Sequence, residues 1–210
     1  ASVRPDAAMG RAAAEAASDG PIEQGNVGAG TGATVGKAFG AGFAMKAGIG
    51  TASIDLGGGL VVAALLAVNA FGDVIDPETN QIIAGTRQPP GGKDLADTLA
   101  TLKTLIGKTV TRFASNTVIG VVATNAKLDK DEANKVAQMA HNGLARSIRP
   151  AHTMFDGDTI FALATGKTAG NVNLVGAYAA EVVAQAVING TRAATTLHGI
   201  PAAGDWKPAS

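Results

Sequence analysis

A hydroxyl residue, Thr117, stands where a polar stretch meets an apolar run. The polar stretch ends at Asn116, and residues 118–122 have the Val- and Ile-rich composition of a buried strand. A hydroxyl at such a junction can serve as an N-terminal nucleophile once the bond before it is broken. The freed α-amine, with a pKa of about 8, would then act as the base for its own hydroxyl. An ordinary loop-to-strand junction remains the alternative from these residues alone.

Two carboxylates flank a glycine at Asp156-Gly157-Asp158, just before another predicted strand. On a strand, residues two apart point to the same face. Two carboxylates that close repel each other, and one tends to hold a proton unless a cation lies between them. The pair is therefore a candidate for holding an ammonium or sharing a proton. A turn with two solvated carboxylates is the alternative, and calcium would need more ligands than these.

Three further polar residues lie in apolar or glycine-rich surroundings. Asn69 interrupts the apolar run 60–70, so a buried amide there must find partners. It can tie two strands together or donate a hydrogen bond to an oxyanion. Lys37 and Lys46 lie in or beside the glycine-rich stretch 20–42. A solvated lysine is the common outcome at such positions, and a catalytic lysine is the less common one.

The glycine-rich segment 25–37 invites comparison with phosphate-binding loops. A Walker loop needs glycine where this chain has Thr31, and a hydroxyl where it has Ala38. The dinucleotide-binding pattern also fails, because no predicted strand precedes the glycines. A small-ligand or nucleotide-binding module is thus a weak alternative, and a close approach between backbone segments is the interpretation that remains.

Hydrophobic patterning and punctuation predict the elements that position these residues. The predicted helices cover residues 7–18, 94–105, 130–146 and 173–194. The predicted strands cover residues 43–55, 60–71, 117–124 and 159–164, with a hairpin over 74–83. Helices on both faces of a layered sheet would bury these elements in one α/β domain over residues 1–210. The Pro- and Gly-rich tail, 201–210, is predicted to be loosely held.

Composition narrows the function classes. With 17 basic and 17 acidic side chains the net charge is zero, which argues against a nucleic-acid partner. The absence of cysteine excludes disulfides and thiol catalysis, and the three histidines show no metal-ligand spacing. The longest apolar run is too short to span a bilayer, and no signal-peptide pattern opens the chain. We therefore expect a cytoplasmic protein with no membrane partner.

Taken together, the motifs resemble one family. They are, in family order, residues 25–32, 46–53, Asn69, 116–117 with 122–125, and 156–161. The family is the self-processing aminopeptidase and amidase group that includes D-aminopeptidase (DmpA), β-peptidyl aminopeptidases and nylon-oligomer hydrolase. The Asn116-Thr117 junction looks most like the nylon-oligomer branch, since the aminopeptidase branch typically has Gly-Ser there.

The resemblance implies an αββα layered sandwich of the N-terminal-nucleophile type. It also implies self-cleavage after Asn116, with residues 1–116 as the C-terminal part of the large subunit and residues 117–210 as the small subunit. No metal or organic cofactor is implied, and the expected assembly is a homo-oligomer, commonly a tetramer of processed heterodimers. Family members carry a further upstream segment that this chain lacks, so the sequence is expected to be part of a longer protein.

The resemblance also assigns roles to individual residues. Thr117 matches the nucleophile and Asn116 the last residue of the large subunit. Asn69 matches the amide on the oxyanion side. The remaining matches are the acidic pair Asp156 and Asp158, the site lysine Lys37 of the nylon branch, and Lys46, a lysine of the aminopeptidase branch and a further candidate here.

The expected function is hydrolysis of amide bonds in peptides or oligoamides, such as 6-aminohexanoate (nylon) oligomers, through an acyl-enzyme on Thr117. An aminopeptidase for short peptides or β-peptides and an inactive oligomeric scaffold of the same fold are the alternatives. The sequence does not decide between exo- and endo-hydrolysis, nor which neighbour takes the proton during self-cleavage.

Overall fold

The structure is a computed structural model that describes residues 4–89, 94–105 and 116–206. Its helices are α1 (Ala7–Glu15), α2 (Thr98–Leu105), α3 (Lys130–Ser147) and α4 (Val172–Arg192). Its strands are β1 (Thr34–Val35), β2 (Met45–Lys46), β3 (Ile49–Asp55), β4 (Val61–Ala67), β5 (Asp73–Ile75), β6 (Ile82–Ala84), β7 (Ile119–Ala126), β8 (Ile148–Arg149) and β9 (Thr159–Thr168). The predicted α/β class is confirmed.

The main sheet has four strands in the order β3-β4-β7-β9. Strand β4 is antiparallel to both of its neighbours, β3 and β7, whereas β7 and β9 run parallel. Side chains alternate along β4 between buried and half-buried positions, as the period of two requires. Val62, Ala64 and Leu66 thereby enter the core, and Val122 and Ile160 join them from the neighbouring strands.

The two long helices cover the buried face of this sheet. Helix α3 begins as predicted at Lys130, and Asp129 is its N-cap. The Asp129 carboxylate accepts the backbone N–H of Glu132, and the Glu132 side chain accepts the backbone N–H of Asp129. Helix α4 packs against α3, β3 and β4. It approaches β3 so closely that a Cβ on Gly50 would lie 1.9 Å from the carbonyl oxygen of Ala186. Small residues therefore set the distance between the helix layer and the sheet.

The opposite face of the main sheet is apolar and open. Ile119, Phe161 and Leu163 are each about half exposed there. Ile119 and Phe161, with Ile49 and Leu65 nearby, line a shallow apolar groove of about 300 Å³. The expectation of helices on both faces is thus not met within the described residues, which place α3 and α4 on the same side.

A second, smaller sheet has the order β6-β5-β8. It contains the predicted hairpin, with its turn at residues 76–80. Helix α2 begins at Thr98 rather than residue 94, because Leu95 instead pairs with Arg87 in a β-bridge. Strand β9 is longer than predicted, and β7 begins two residues after Thr117.

The start of the C-terminal tail is well held, so the predicted loose tail is wrong for residues 201–206. The backbone N–H of Lys46 donates to Pro201 at 2.8 Å, and Ala202 is fully buried. Residues 207–210 lie outside the described part of the chain, as does the polar stretch 106–115.

Helix α4 is long and apolar enough to cross a membrane by length and composition, and it is the one such helix among the described residues. Its contacts with α3 and the main sheet explain its composition differently. It is the central helix of the core, in which Val175, Val183 and Val187 are fully buried.

Candidate active site

The peptide bond between Asn116 and Thr117 is clamped from both sides. The Thr117 N–H donates to the backbone carbonyl of Asn69 at 2.9 Å, just beyond the end of β4. The Asn116 carbonyl accepts the N–H of Gly157 at 2.9 Å, and the Asn116 N–H donates to Phe155 at 3.2 Å. The Oγ1 of Thr117 lies 2.5 Å from the Asn116 carbonyl oxygen. A hydroxyl group, a backbone carbonyl and an N–H donor therefore meet at this bond.

Gly157 allows this close approach. A Cβ at that position would lie 3.0 Å from Thr117 Oγ1 and 3.7 Å from the Asn116 carbonyl oxygen. A side chain there would thus press on the Thr117 hydroxyl. The glycine of Asp156-Gly157-Asp158 contributes its backbone N–H to the site. From the sequence, only the two flanking carboxylates were candidates for a role there.

Lys37 lies buried beside the same bond. Its Nζ donates to Asn116 Oδ1 at 2.7 Å and to Asn69 Oδ1 at 2.8 Å. Burial lowers the pKa of Lys37 to about 8, and the negative charge of Asp156 offsets part of that shift. A lysine with this pKa can lose its proton near neutral pH, which is what a general base requires.

Asn69 connects Lys37 to Thr117. Its Oδ1 accepts from Lys37 and from the backbone N–H of Thr34 at 3.2 Å, while its backbone carbonyl accepts the N–H of Thr117. The side-chain oxygen is therefore occupied, and the amide orientation leaves Nδ2 as the donor group. Asn69 brings the end of β4, Lys37 and Thr117 into one cluster.

The two carboxylates of the acidic pair hold backbone groups around the bond. Asp156 Oδ1 accepts from Phe71 N–H at 2.9 Å, and its Oδ2 accepts from Thr153 Oγ1 at 2.6 Å. Asp158 Oδ1 accepts from Val118 N–H at 2.9 Å, one residue after Thr117. Neither carboxylate is a solvated turn residue, and the side chain of Asp158 is almost fully buried.

Lys46 belongs to a different contact. Its Nζ donates to the backbone carbonyl of Thr31 at 2.8 Å, and burial lowers its pKa. Nearby, a Cβ on Gly48 would lie 2.1 Å from the carbonyl oxygen of Gly25. The glycine-rich segment thus approaches the backbone of residues 46–49 closely, and Lys46 holds that segment rather than the Asn116–Thr117 bond.

Residues 4–89, 94–105 and 116–206 contain no group of three or more His, Asp or Glu side chains that could hold a metal ion. The chemistry available in the described site is accordingly that of a hydroxyl, an amine, amides and carboxylates.

The sequence profile of Peptidase family S58 matches residues 2–203. The chain belongs to Peptidase family S58.

Relatives within this family carry two kinds of name. An uncharacterized aminopeptidase of Mycobacterium tuberculosis (strain ATCC 25618 / H37Rv) is 40% identical over 98% of this chain and 62% of its own length. A counterpart in Mycobacterium leprae (strain TN) is 39% identical over 94% of this chain and 59% of its own length. A 6-aminohexanoate-oligomer endohydrolase of Paenarthrobacter ureafaciens is 31% identical over 89% of this chain and 56% of its own length.

Solved structures agree with the S58 assignment. A Burkholderia sp. beta-aminopeptidase superposes with a TM-score of 0.62 at 26% identity, covering 94% of this chain and 54% of that one. The L-aminopeptidase D-Ala-esterase/amidase of Ochrobactrum anthropi, described as a variant of the Ntn hydrolase fold, gives a TM-score of 0.62 at 24% identity, covering 92% and 51%. The predicted N-terminal-nucleophile fold is confirmed.

This S58 chain spans about three-fifths of the length of the mycobacterial relatives. Its identity to the relatives named aminopeptidase exceeds its identity to those named endohydrolase. The placement in the nylon-oligomer branch consequently rests on the Asn116-Thr117 junction and stays a prediction.

His152 is a residue of this S58 site that sequence reasoning missed. Its Nδ1 lies 3.0 Å from Asp158 Oδ2, and its ring lies 5.1 Å from that of His141. Burial, and then the neighbouring His152, lower the pKa of His141. The three histidines looked unrelated because only the fold brings residues 141 and 152 together, and a spacing of this kind carries no signal in sequence.

Proposed function

We propose that this protein is a self-cleaving amide hydrolase in which Thr117 becomes the N-terminal nucleophile. One observation supports this above all others. The Asn116 carbonyl oxygen accepts Gly157 N–H and lies within 2.5 Å of Thr117 Oγ1, while Lys37 contacts the Asn116 side chain. Such an arrangement suits attack of a hydroxyl on the preceding carbonyl, with a base and an oxyanion donor beside it.

Self-cleavage proceeds through an ester. Thr117 Oγ1 attacks the Asn116 carbonyl carbon, and neutral Lys37 accepts the hydroxyl proton. The N–H of Gly157 stabilises the negative charge on the oxygen. The C–N bond breaks, the proton passes to the Thr117 nitrogen, and Asn116 is left esterified to Oγ1. Water hydrolyses this ester to a carboxylate on Asn116 and a hydroxyl on Thr117, whose amine is then free of the peptide bond.

Lys37 is the base that the contacts favour for this step. The Thr117 nitrogen is still an amide at that stage and cannot accept a proton. The carboxylates of Asp156 and Asp158 already accept backbone and hydroxyl hydrogens. Because the pKa of Lys37 is lowered to about 8, an appreciable fraction of this amine is neutral near pH 7 to 8.

Turnover then uses the new α-amine. The Thr117 nitrogen already donates to the Asn69 carbonyl, so the amine forms in a fixed position. It takes the proton of its own hydroxyl, and an acyl-enzyme forms on Oγ1 as the substrate amine leaves. Asn69 Nδ2 and Gly157 N–H are the donors for the oxyanion, and water completes the hydrolysis.

The acidic pair positions this machinery. Asp158 accepts the backbone N–H of Val118, the residue after Thr117, and Asp156 accepts that of Phe71, two residues after Asn69. The charge of Asp156 also favours the protonated form of Lys37. In this scheme the two carboxylates act on Thr117 through neighbouring residues.

The substrates we propose are amides of peptides or oligoamides, including 6-aminohexanoate oligomers. The names of the relatives support both classes. No cofactor takes part in this scheme. Residues 1–116 form the C-terminal part of the large subunit, and residues 117–210 form the small subunit. The processed protein is a homo-oligomer, a tetramer by the family resemblance, in the cytoplasm. The open apolar face of the main sheet supports burial against a further layer of structure.

Intact mass spectrometry of the full-length protein tests the proposal. Wild-type protein should yield a fragment beginning Thr117-Val118-Ile119, whereas Thr117→Ala should stay folded, uncut and inactive. Thr117→Ser keeps the hydroxyl and should retain some cleavage. A wild-type chain that stays uncut over days would count heavily against the scheme and favour the scaffold alternative. Screening N-terminal peptide amides against 6-aminohexanoate oligomers would separate the two substrate classes.

A further inference from the structure

A buried carboxylate with no role in the self-cleavage scheme lies close behind Lys37. Asp73, the first residue of β5, is fully buried. It accepts three hydrogen bonds, from Thr86 N–H at 2.8 Å, from Thr98 N–H at 2.6 Å and from Thr98 Oγ1 at 2.6 Å. Burying a charged carboxylate costs free energy unless hydrogen bonds compensate for the lost water. Charge-assisted hydrogen bonds are also geometrically specific, so Asp73 fixes the positions of its donors.

The hydroxyl groups around Asp73 form a chain with one direction. The Thr98 hydroxyl donates to Asp73, so it can only accept at its contact with Thr86 Oγ1, 2.7 Å away. Thr86 Oγ1 therefore donates to Thr98, and it accepts the backbone N–H of Ala38 at 3.2 Å. A continuous series of hydrogen bonds thus runs from the residue after Lys37 to the carboxylate of Asp73.

Close backbone contacts restrict the movement of the segments that this series of hydrogen bonds joins. A Cβ on Gly36 would lie 1.9 Å from the carbonyl carbon of Gly85, and one on Gly85 would lie 2.4 Å from Asp73 Oδ1. Gly36 also has φ +71°, which favours glycine. The segment before Lys37 therefore packs directly against Gly85, and Gly85 packs directly against the Asp73 carboxylate.

Resting on the proposed function, we propose that Asp73, acting through Thr98 and Thr86, is a positioning residue that holds Lys37 between Asn69 and Asn116. The backbone N–H of Lys37 also donates to Phe71 at 2.9 Å, two residues before Asp73. The chain through Thr86 fixes the other side of the lysine. Together these bonds fix the backbone at Lys37, and they therefore determine the position that its Nζ can reach.

The ionised form of Asp73 is the one that fits its donors. Burial raises the pKa of Asp73 to about 6, against the effect of its hydrogen bonds with Thr98 and Thr86. The carboxylate of Asp97 adds to the rise, and Arg149 pairs with Asp97 at 3.4 Å. At neutral pH the carboxylate therefore prevails. A proton on it would oppose donors already in place and reverse the order of the hydroxyl chain.

The test compares three single variants of the full-length protein. Thr86→Val removes the hydroxyl with little change of shape, and Thr86→Ser keeps it. Thr191→Val is the matched control, because Thr191 is fully buried and donates to Val187 at 2.8 Å within α4. Self-cleavage is followed by mass spectrometry well below each melting temperature. Thr86→Val should slow it roughly tenfold or more, and the other two variants by less than about threefold.

A second measurement separates positioning from stability and from the proposed function. In the uncut Thr117→Ala background, NMR of labelled lysine side chains reports the titration of Lys37. Thr86→Val should move its midpoint upward from about 8 toward the ordinary 10.5, because a displaced amine gains water. Thr191→Val should leave the midpoint in place, and Thr86→Ser should restore it.

Equal slowing by Thr86→Val and Thr191→Val would overturn the proposal, as would a Lys37 midpoint that Thr86→Val leaves unchanged. A wild-type chain that never cleaves would defeat the proposed function. The lysine titration would still decide, on its own, whether Asp73 positions Lys37 through the two hydroxyls.

Discussion

Lys37 and Lys46 are two buried lysines in similar surroundings with different partners. Burial lowers the pKa of both lysines. Lys37 lies in the glycine-rich stretch 20–42, and Lys46 lies beside it. Lys37 binds two side-chain amide oxygens at the Asn116–Thr117 bond, whereas Lys46 binds one backbone carbonyl, that of Thr31. Burial therefore makes a lysine easier to deprotonate. Whether the neutral amine can act as a base depends on the groups within its reach.

Replacing each lysine by methionine gives the largest expected contrast. Lys37→Met should slow self-cleavage by roughly a hundredfold to ten thousandfold, the range for a lost general base. Lys46→Met removes an amine that only holds the glycine segment, so it should lower the melting temperature but leave most self-cleavage. Mass spectrometry of freshly folded protein measures both. Cleavage that survives Lys37→Met and stops in a folded Lys46→Met would reverse the assignment.

Asparagine at the acidic pair tests what Lys37 gains from its neighbours. Asp156→Asn and Asp158→Asn should each lower turnover by roughly a hundredfold and slow self-cleavage, because they loosen the backbone around Thr117. Steady-state rates on a peptide amide and cleavage time courses measure the two effects. Asp131→Asn, on the exposed start of α3, is the matched control. Normal rates in both acidic-pair variants would show that the pair has no role in the chemistry.

The pH dependence of self-cleavage should follow Lys37 and not Lys46. Because only the neutral amine accepts a proton, the rate should rise about tenfold per pH unit below the Lys37 midpoint and level off above it. That midpoint is about 8 in the wild type. The charge of Asp156 raises the Lys37 pKa, so Asp156→Asn should shift the midpoint to lower pH. Time courses that give a flat profile from roughly pH 6 to roughly pH 9 would remove Lys37 as the base.

Chelation should have the smallest effect. Neither lysine needs a metal for its proposed role, so activity and self-cleavage should be unchanged after dialysis against EDTA. Measuring both rates before and after dialysis, with a metallopeptidase treated in parallel, makes the comparison. Loss of activity that added zinc or magnesium restores would show that a cofactor takes part.

The helices and the candidate nucleophile were the parts most accessible to prediction. Helix α3 could be placed to within one residue because Asp129 and Glu132 form a capping box, which is a local signal. Thr117 was identifiable because a hydroxyl precedes a Val- and Ile-rich run. Both signals lie within a few residues of the feature they predict, and family resemblance added the identities of Lys37 and Asn69.

Contacts between distant segments were beyond such reasoning. Asp73 looks like an ordinary polar residue at a strand start, yet it is buried because Thr86 and Thr98 bring their donors to it. His152 reaches Asp158 only through the path of the loop between β8 and β9. The start of α2 moved for the same reason, since the bridge from Arg87 to Leu95 competes with the helix.

The clamp on Asn116 would also govern the behaviour of the protein after its first cut. The Asn116 side chain is bound by Lys37 and Phe155, and its carbonyl oxygen by Gly157. After cleavage as proposed, the new carboxylate would start in the place where a substrate carbonyl must bind. The freshly cut protein is then inhibited by its own product end. Catalysis would begin only after that end withdraws, which should appear as a lag between the appearance of fragments and the appearance of activity.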